Sequence, residues 1–68
     1  MKKLPRLAIR VKILSLLAKI PMNSFELSQN IGCSQSELEE QLLVLEKNEK
    51  IERLRSEKFK QNFWKLKL

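Results

Sequence analysis

The sequence predicts a mainly α fold with a small β-ribbon: three helices followed by a two-stranded antiparallel hairpin, in one domain over residues 1–68. Three observations predict it. Apolar residues recur at helical spacing in three stretches, 6–20, 24–31 and 35–47. Each stretch is bounded by a cap residue, a glycine or a proline. After Asn48 the period shortens to two, so that Trp64, Leu66 and Leu68 alternate as in a strand. A chain of 68 residues hides only about 60% of its unfolded surface, which leaves room for one small core.

Residues 1–5 read as a flexible basic arm, and Pro5 suits the first turn of a helix, where its missing N–H costs nothing. On a wheel of 100° per residue, Leu7, Val11, Leu14 and Ala18 fall in one narrow stripe, the expected core face of this first helix. Ile9, Ile13, Leu16 and Ile20 form a second apolar stripe well over a third of a turn away. It has no obvious intrachain cover, and exposed apolar patches of that size mark interfaces, so a homodimer through these four residues is expected. Pro21 stops the helix. Asn23 with Glu26 three residues on is a capping box for a short second helix, with Leu27 and Ile31 inward, Ser28 at a close helix approach and Gly32 ending it in a left-handed conformation. Ser34 with Glu37 repeats the box, and Leu38, Leu42 and Leu45 give the inward stripe of a third helix to about Lys47. Strands are expected near 51–55 and 62–67, with Ile51, Trp64 and Leu66 closing over the helices, Trp64 buried against Leu14 or Leu45, and Phe63 on the other side. A short terminal helix is the competing reading, disfavoured by the period of two.

Composition removes several classes of function. The lone Cys33 and the absence of His exclude an internal disulfide and leave no ligand set for zinc or an iron–sulfur cluster, so neither metal nor cofactor is expected. A single glycine, Gly32, cannot build a phosphate-cradling loop. Adjacent Glu39 and Glu40 diverge by 100° on a helix and make no acid–base pair, so no enzyme is expected. The basic, partly apolar start is interrupted by Arg10 and Lys12 and has neither a small-residue cleavage site nor a membrane-spanning run, which points to a cytoplasmic protein. With 14 Lys+Arg against 8 Asp+Glu the net charge is +6, arranged in blocks. Residues 1–25 carry six bases and no acid, residues 26–49 six acids against Lys47 alone, and residues 50–68 seven bases against Glu52 and Glu57. A polyanion would meet the terminal segments rather than the middle.

Helix, short helix, glycine turn, third helix and terminal ribbon, carried on NSFELSQNIGCSQSELEEQLLVLEKNEKIERL, resemble the winged helix-turn-helix DNA-binding superfamily over nearly the whole chain. The segment is also similar to small bacterial winged-helix regulators of the FeoC-like type, with an L-x-x-L-E-x-x-x-K-I run before the wing and a terminal Trp. The cysteines those proteins carry in the wing are missing from RSEKFKQN, so an iron-sensing role is not implied. The resemblance implies a transcriptional regulator that lays its third helix in the major groove of double-stranded DNA and sets its wing, residues 51–67, on backbone or minor groove. Gln35 and Ser36 then fall where base edges and phosphates are reached. Arg53, Arg55, Lys58 and Lys60 form a phosphate grip on and around the wing loop, and Lys2, Lys3 and Arg6 a basic arm. Phe59 stands between Lys58 and Lys60 as a candidate for insertion against sugar. Cys33 reads as a packed thiol. Glu39 and Glu40 on the outward face of the third helix oppose phosphate attraction, and they support the alternative of a protein-docking module that uses the acidic third helix without DNA.

Overall fold

The computed structural model of the chain describes residues 4–67, so Lys2 and Lys3 of the basic arm lie outside the described residues. Three helices, α1 (Arg6–Leu17), α2 (Ser24–Ile31) and α3 (Gln35–Lys47), precede the strands β1 (Ile51–Ser56) and β2 (Gln61–Leu66). The strands pair antiparallel with Ile51 opposite Leu66 and Arg53 opposite Trp64. An isolated bridge from Met22 to Trp64, with backbone N–H to O distances of 2.8 and 3.1 Å, ties the α1–α2 connection to the outer side of β2.

Helix α1 stops at Leu17, three residues short of the expected Ile20. Pro21 drives its preceding residue out of the α region, and the chain leaves the helix through a tightened turn in which Lys19 N–H reaches back only three residues, to Leu16 O. Asn23 and Glu26 form the full reciprocal box that starts α2. Gly32 closes α2 at φ +82°, the left-handed region that costs glycine nothing. Ser34 Oγ accepts the Glu37 N–H at the start of α3 and donates to the Glu37 carboxylate.

The core consists of Ile9, Ile13 and Leu17 from α1, Leu27 and Ile31 from α2, Leu38, Leu42 and Leu45 from α3, and Ile51 and Trp64 from the ribbon. This reverses the expected faces of α1. Ile9 and Ile13, expected on a dimer surface, are the inward residues at 1% and 0% exposure, and Leu16 packs partly against them. Leu7 and Val11, expected in the core, stand 63% and 57% exposed, and Ala18 is exposed as well. Of the four residues expected inside, only Leu14 is partly covered; of the four expected outside, only Ile20 is exposed. The reason is area. Two isoleucines with Leu16 and Leu17 bury more apolar surface than a stripe containing Val11 and Ala18, and each additional buried methylene contributes about 0.8 kcal/mol.

Gln41, a position periodicity alone would leave apolar, is 3% exposed and takes a 2.8 Å hydrogen bond on its side-chain oxygen from the Arg10 guanidinium. A buried amide is costly unless paired, and this charged donor both satisfies it and pins α1 to α3.

Candidate nucleic-acid interface

The outward face of α3 is built by the residues its core stripe leaves over. Gln35, Glu39 and Leu43 lie along one i, i+4 row, with Ser36 and Glu40 on the next. All five are exposed. Gln35 and Ser36 occupy the first turn, immediately after the Ser34 cap, as expected of residues presented beyond a helix start. Between this row, the start of α2 and the inner face of the ribbon runs an open groove of about 560 Å³, lined among others by Phe25, Gln35, Glu39, Leu43, Arg53 and Asn62. Asn23 donates across it to Gln61 at 3.4 Å, joining the α2 cap to β2.

The wing bases divide into two groups. Arg53 faces the groove but is engaged twice within the fold. Its guanidinium lies 5.1 Å from the centre of the Trp64 ring, and it pairs with the Glu46 carboxylate through Nε at 3.1 Å. Lys65 pairs with Glu52 at 3.2 Å and Lys67 with Glu49 at 3.3 Å. Arg55, Lys58 and Lys60, in contrast, have no carboxylate partner among the described residues; Lys58 and Lys60 lie in the four-residue loop that joins the strands, and Arg55 is the penultimate residue of β1. Positive charge is thus neutralised at the foot of the wing and left open at its tip. Lys60 holds φ at +51°, in the left-handed region unfavourable to a side chain. Phe59 is 60% exposed; its ring meets Phe63 edge-on at 6.3 Å, and the Lys58 ammonium lies 5.5 Å from it.

Arg6 opens α1 and, with Arg10, borders a shallow depression beside Glu40 and Val44. The sequence-derived residues therefore come from three places: the start of α3, the wing and the start of α1. Sequence reasoning missed Phe25, Gln61 and Asn62, which line the groove beside Arg53, and gave no role to Leu43, which helical periodicity does turn outward on α3. Period two in β2 places Asn62 on the face of Trp64, the one signal that pointed to it. Cys33 is half-buried, and burial, then the nearby Glu37 carboxylate, push its thiol above the ordinary range, so it stays protonated at neutral pH. That is the behaviour of a packing residue. Among the described residues no group of three or more His, Cys, Asp or Glu side chains is placed to hold a metal ion, and no helix is long and apolar enough to cross a membrane.

A tri-helical core with a glycine turn before an exposed helix, closed by a basic antiparallel hairpin, defines a winged helix-turn-helix domain of the DNA-binding superfamily. The family model described as "Bacterial regulatory protein, arsR family" matches residues 8–51, from within α1 to the first residue of the wing. The chain belongs to this family. Its fold is similar to that of a cysteine-to-serine mutant of Lactococcus lactis ZitR, with a TM-score of 0.83 and 22% identity over 87% of this chain and 41% of that one. The match thus covers less than half of ZitR's length, and at this identity the likeness is one of fold. No curated protein matches the sequence. The family is one of regulatory proteins.

Proposed function

We propose that the protein is a cytoplasmic transcriptional regulator that binds double-stranded DNA, gripping phosphates with its wing and N-terminal arm while the start of α3 enters the major groove. The observation that carries this reading is the division of the wing charges, with Arg55, Lys58 and Lys60 free of carboxylate partners among the described residues and placed toward the tip of a ribbon whose inner face shares a groove with the exposed α3 row. Phosphate neutralisation supplies most non-specific affinity, so open lysines at a protruding loop contribute directly. Arg53 joins them by exchanging the Glu46 carboxylate for a phosphate; the exposed pair costs little to open. Gln35 and Ser36 reach base edges or phosphates, and Arg6 continues into Lys2 and Lys3 to form the basic arm. Membership of a regulator family does not favour the alternative in which the acidic α3 docks a protein without DNA. The test is titration against a random duplex at several salt concentrations, where binding that weakens steeply with salt is expected and the absence of binding at low salt defeats the proposal.

The exposure of Leu7 and Val11 favours a second element, self-association through the outer stripe of α1 rather than through Ile9, Ile13, Leu16 and Ile20. Two-fold pairing is the commonest way to cover such a stripe. The wild type is expected to sediment as a dimer at tens of micromolar and the Val11→Lys variant as a monomer. A wild type that stays monomeric over that range removes the dimer.

A further inference from the structure

The outward face of α3 differs chemically from a general DNA-reading helix, and the difference selects bases. Over its first two turns it carries Gln35, Ser36, Glu39 and Glu40 but neither Arg nor Lys. Bidentate pairing of guanine O6 and N7 needs Arg or Lys, so the first two turns have no group for that contact. Glu39 makes no hydrogen bond or ion pair among the described residues, and it lines the groove between α3 and the wing together with Leu43, which is 55% exposed. An ionised carboxylate only accepts. In the major groove, cytosine offers N4–H₂ with no acceptor of its own beside it. Adenine offers N6–H₂ next to the acceptor N7, and guanine offers acceptors alone. Beneath Glu39, cytosine is matched, adenine partly opposed, and guanine left facing an unpaired charge. That repulsion separates the bases more sharply than one gained hydrogen bond would. One helical turn further on, Leu43 has nothing to offer a polar edge and fits the one apolar group in the groove, the thymine 5-methyl. A four-residue step along a helix advances about 6 Å, close to two base-pair steps of about 3.4 Å each.

Resting on the reading of the protein as a DNA binder, we propose that α3 is a pyrimidine reader: Glu39 accepts a hydrogen bond from a cytosine amine and Leu43 packs on a thymine methyl about two base pairs away, with guanine refused beneath Glu39. The wing tip supplies affinity without sequence, and this row supplies the preference.

Selection from a random duplex library with the wild type, Glu39→Gln and Leu43→Ala tests it, each protein first checked for unchanged helical circular dichroism. The wild type is expected to enrich cytosine at one position and thymine about two steps away. Glu39→Gln should exchange that cytosine for adenine, because an amide both donates to N7 and accepts from N6. Leu43→Ala should lose the thymine and keep the cytosine. In the selected duplex, uracil in place of that thymine removes one methyl and should weaken wild-type binding about fourfold, the equivalent of one buried methylene-sized group, while leaving Leu43→Ala unaffected. Salt-dependent binding with no enriched base, enrichment of guanine at the glutamate position, or one motif shared by wild type and Glu39→Gln overturns the pyrimidine reading and leaves DNA binding standing. Failure to bind any duplex at low salt overturns both.

Discussion

Replacement of Trp64 by alanine is expected to cost about 3–5 kcal/mol, which equals the whole stability of many domains of this size. The indole is 7% exposed within the cluster that holds Leu45 and Ile51, with Leu14 packed against that cluster. Its backbone makes both hydrogen bonds of the bridge to Met22, and its ring carries the Arg53 guanidinium. Few other large side chains link the ribbon to the helices, so truncation opens a cavity that so small a core closes poorly. Urea denaturation followed by circular dichroism measures the loss. Trp64→Phe, which keeps most of the ring volume, should recover a large part of it. A Trp64→Ala variant as stable as the wild type would show that the wing is not held by this residue.

Exchange of Lys58 and Lys60 together for alanine should weaken binding to every duplex alike. Each lysine at the wing tip lacks a carboxylate partner among the described residues, so each is available to one phosphate. Without these two ammonium–phosphate pairs the slope of log affinity against log salt falls by about 2, and at 0.15 M salt this amounts to roughly 30-fold if the non-electrostatic part is unchanged. Titration of both proteins against one random duplex at several salt concentrations measures the slope directly. An unchanged slope would move the phosphate grip away from the wing tip. The same exchange made at Lys65 and Lys67, which already hold Glu52 and Glu49, should change the slope less.

Much of this architecture was legible because its signals are local. The Asn23–Glu26 box, the Gly32 turn and the Leu38, Leu42, Leu45 stripe each depend on residues within one or two turns, and each formed as its spacing dictates. The faces of α1 were not legible. Two apolar stripes on one helix give periodicity two solutions, and the choice rests on how much area the facing helices can cover, a quantity no single segment contains. Arg53 shows the same limit at the proposed interface. Its partner Glu46 is seven residues back, across the turn from α3 into β1, and only the folding of β1 back along α3 brings the two within 3.1 Å. Leu43, whose outward position periodicity does give, carried no role for a different reason. An exposed leucine is ordinary on any surface, and it acquires meaning only from the groove it borders.

The left-handed backbone of Lys60 places two demands on one position. Glycine there would relax the turn by about 1 kcal/mol and remove an open charge from the wing tip. Lys60→Gly should therefore raise the urea midpoint while weakening the grip on DNA. Any campaign that ranks variants by heat resistance alone would promote this substitution and, with each round, breed a sturdier protein that holds its target less well.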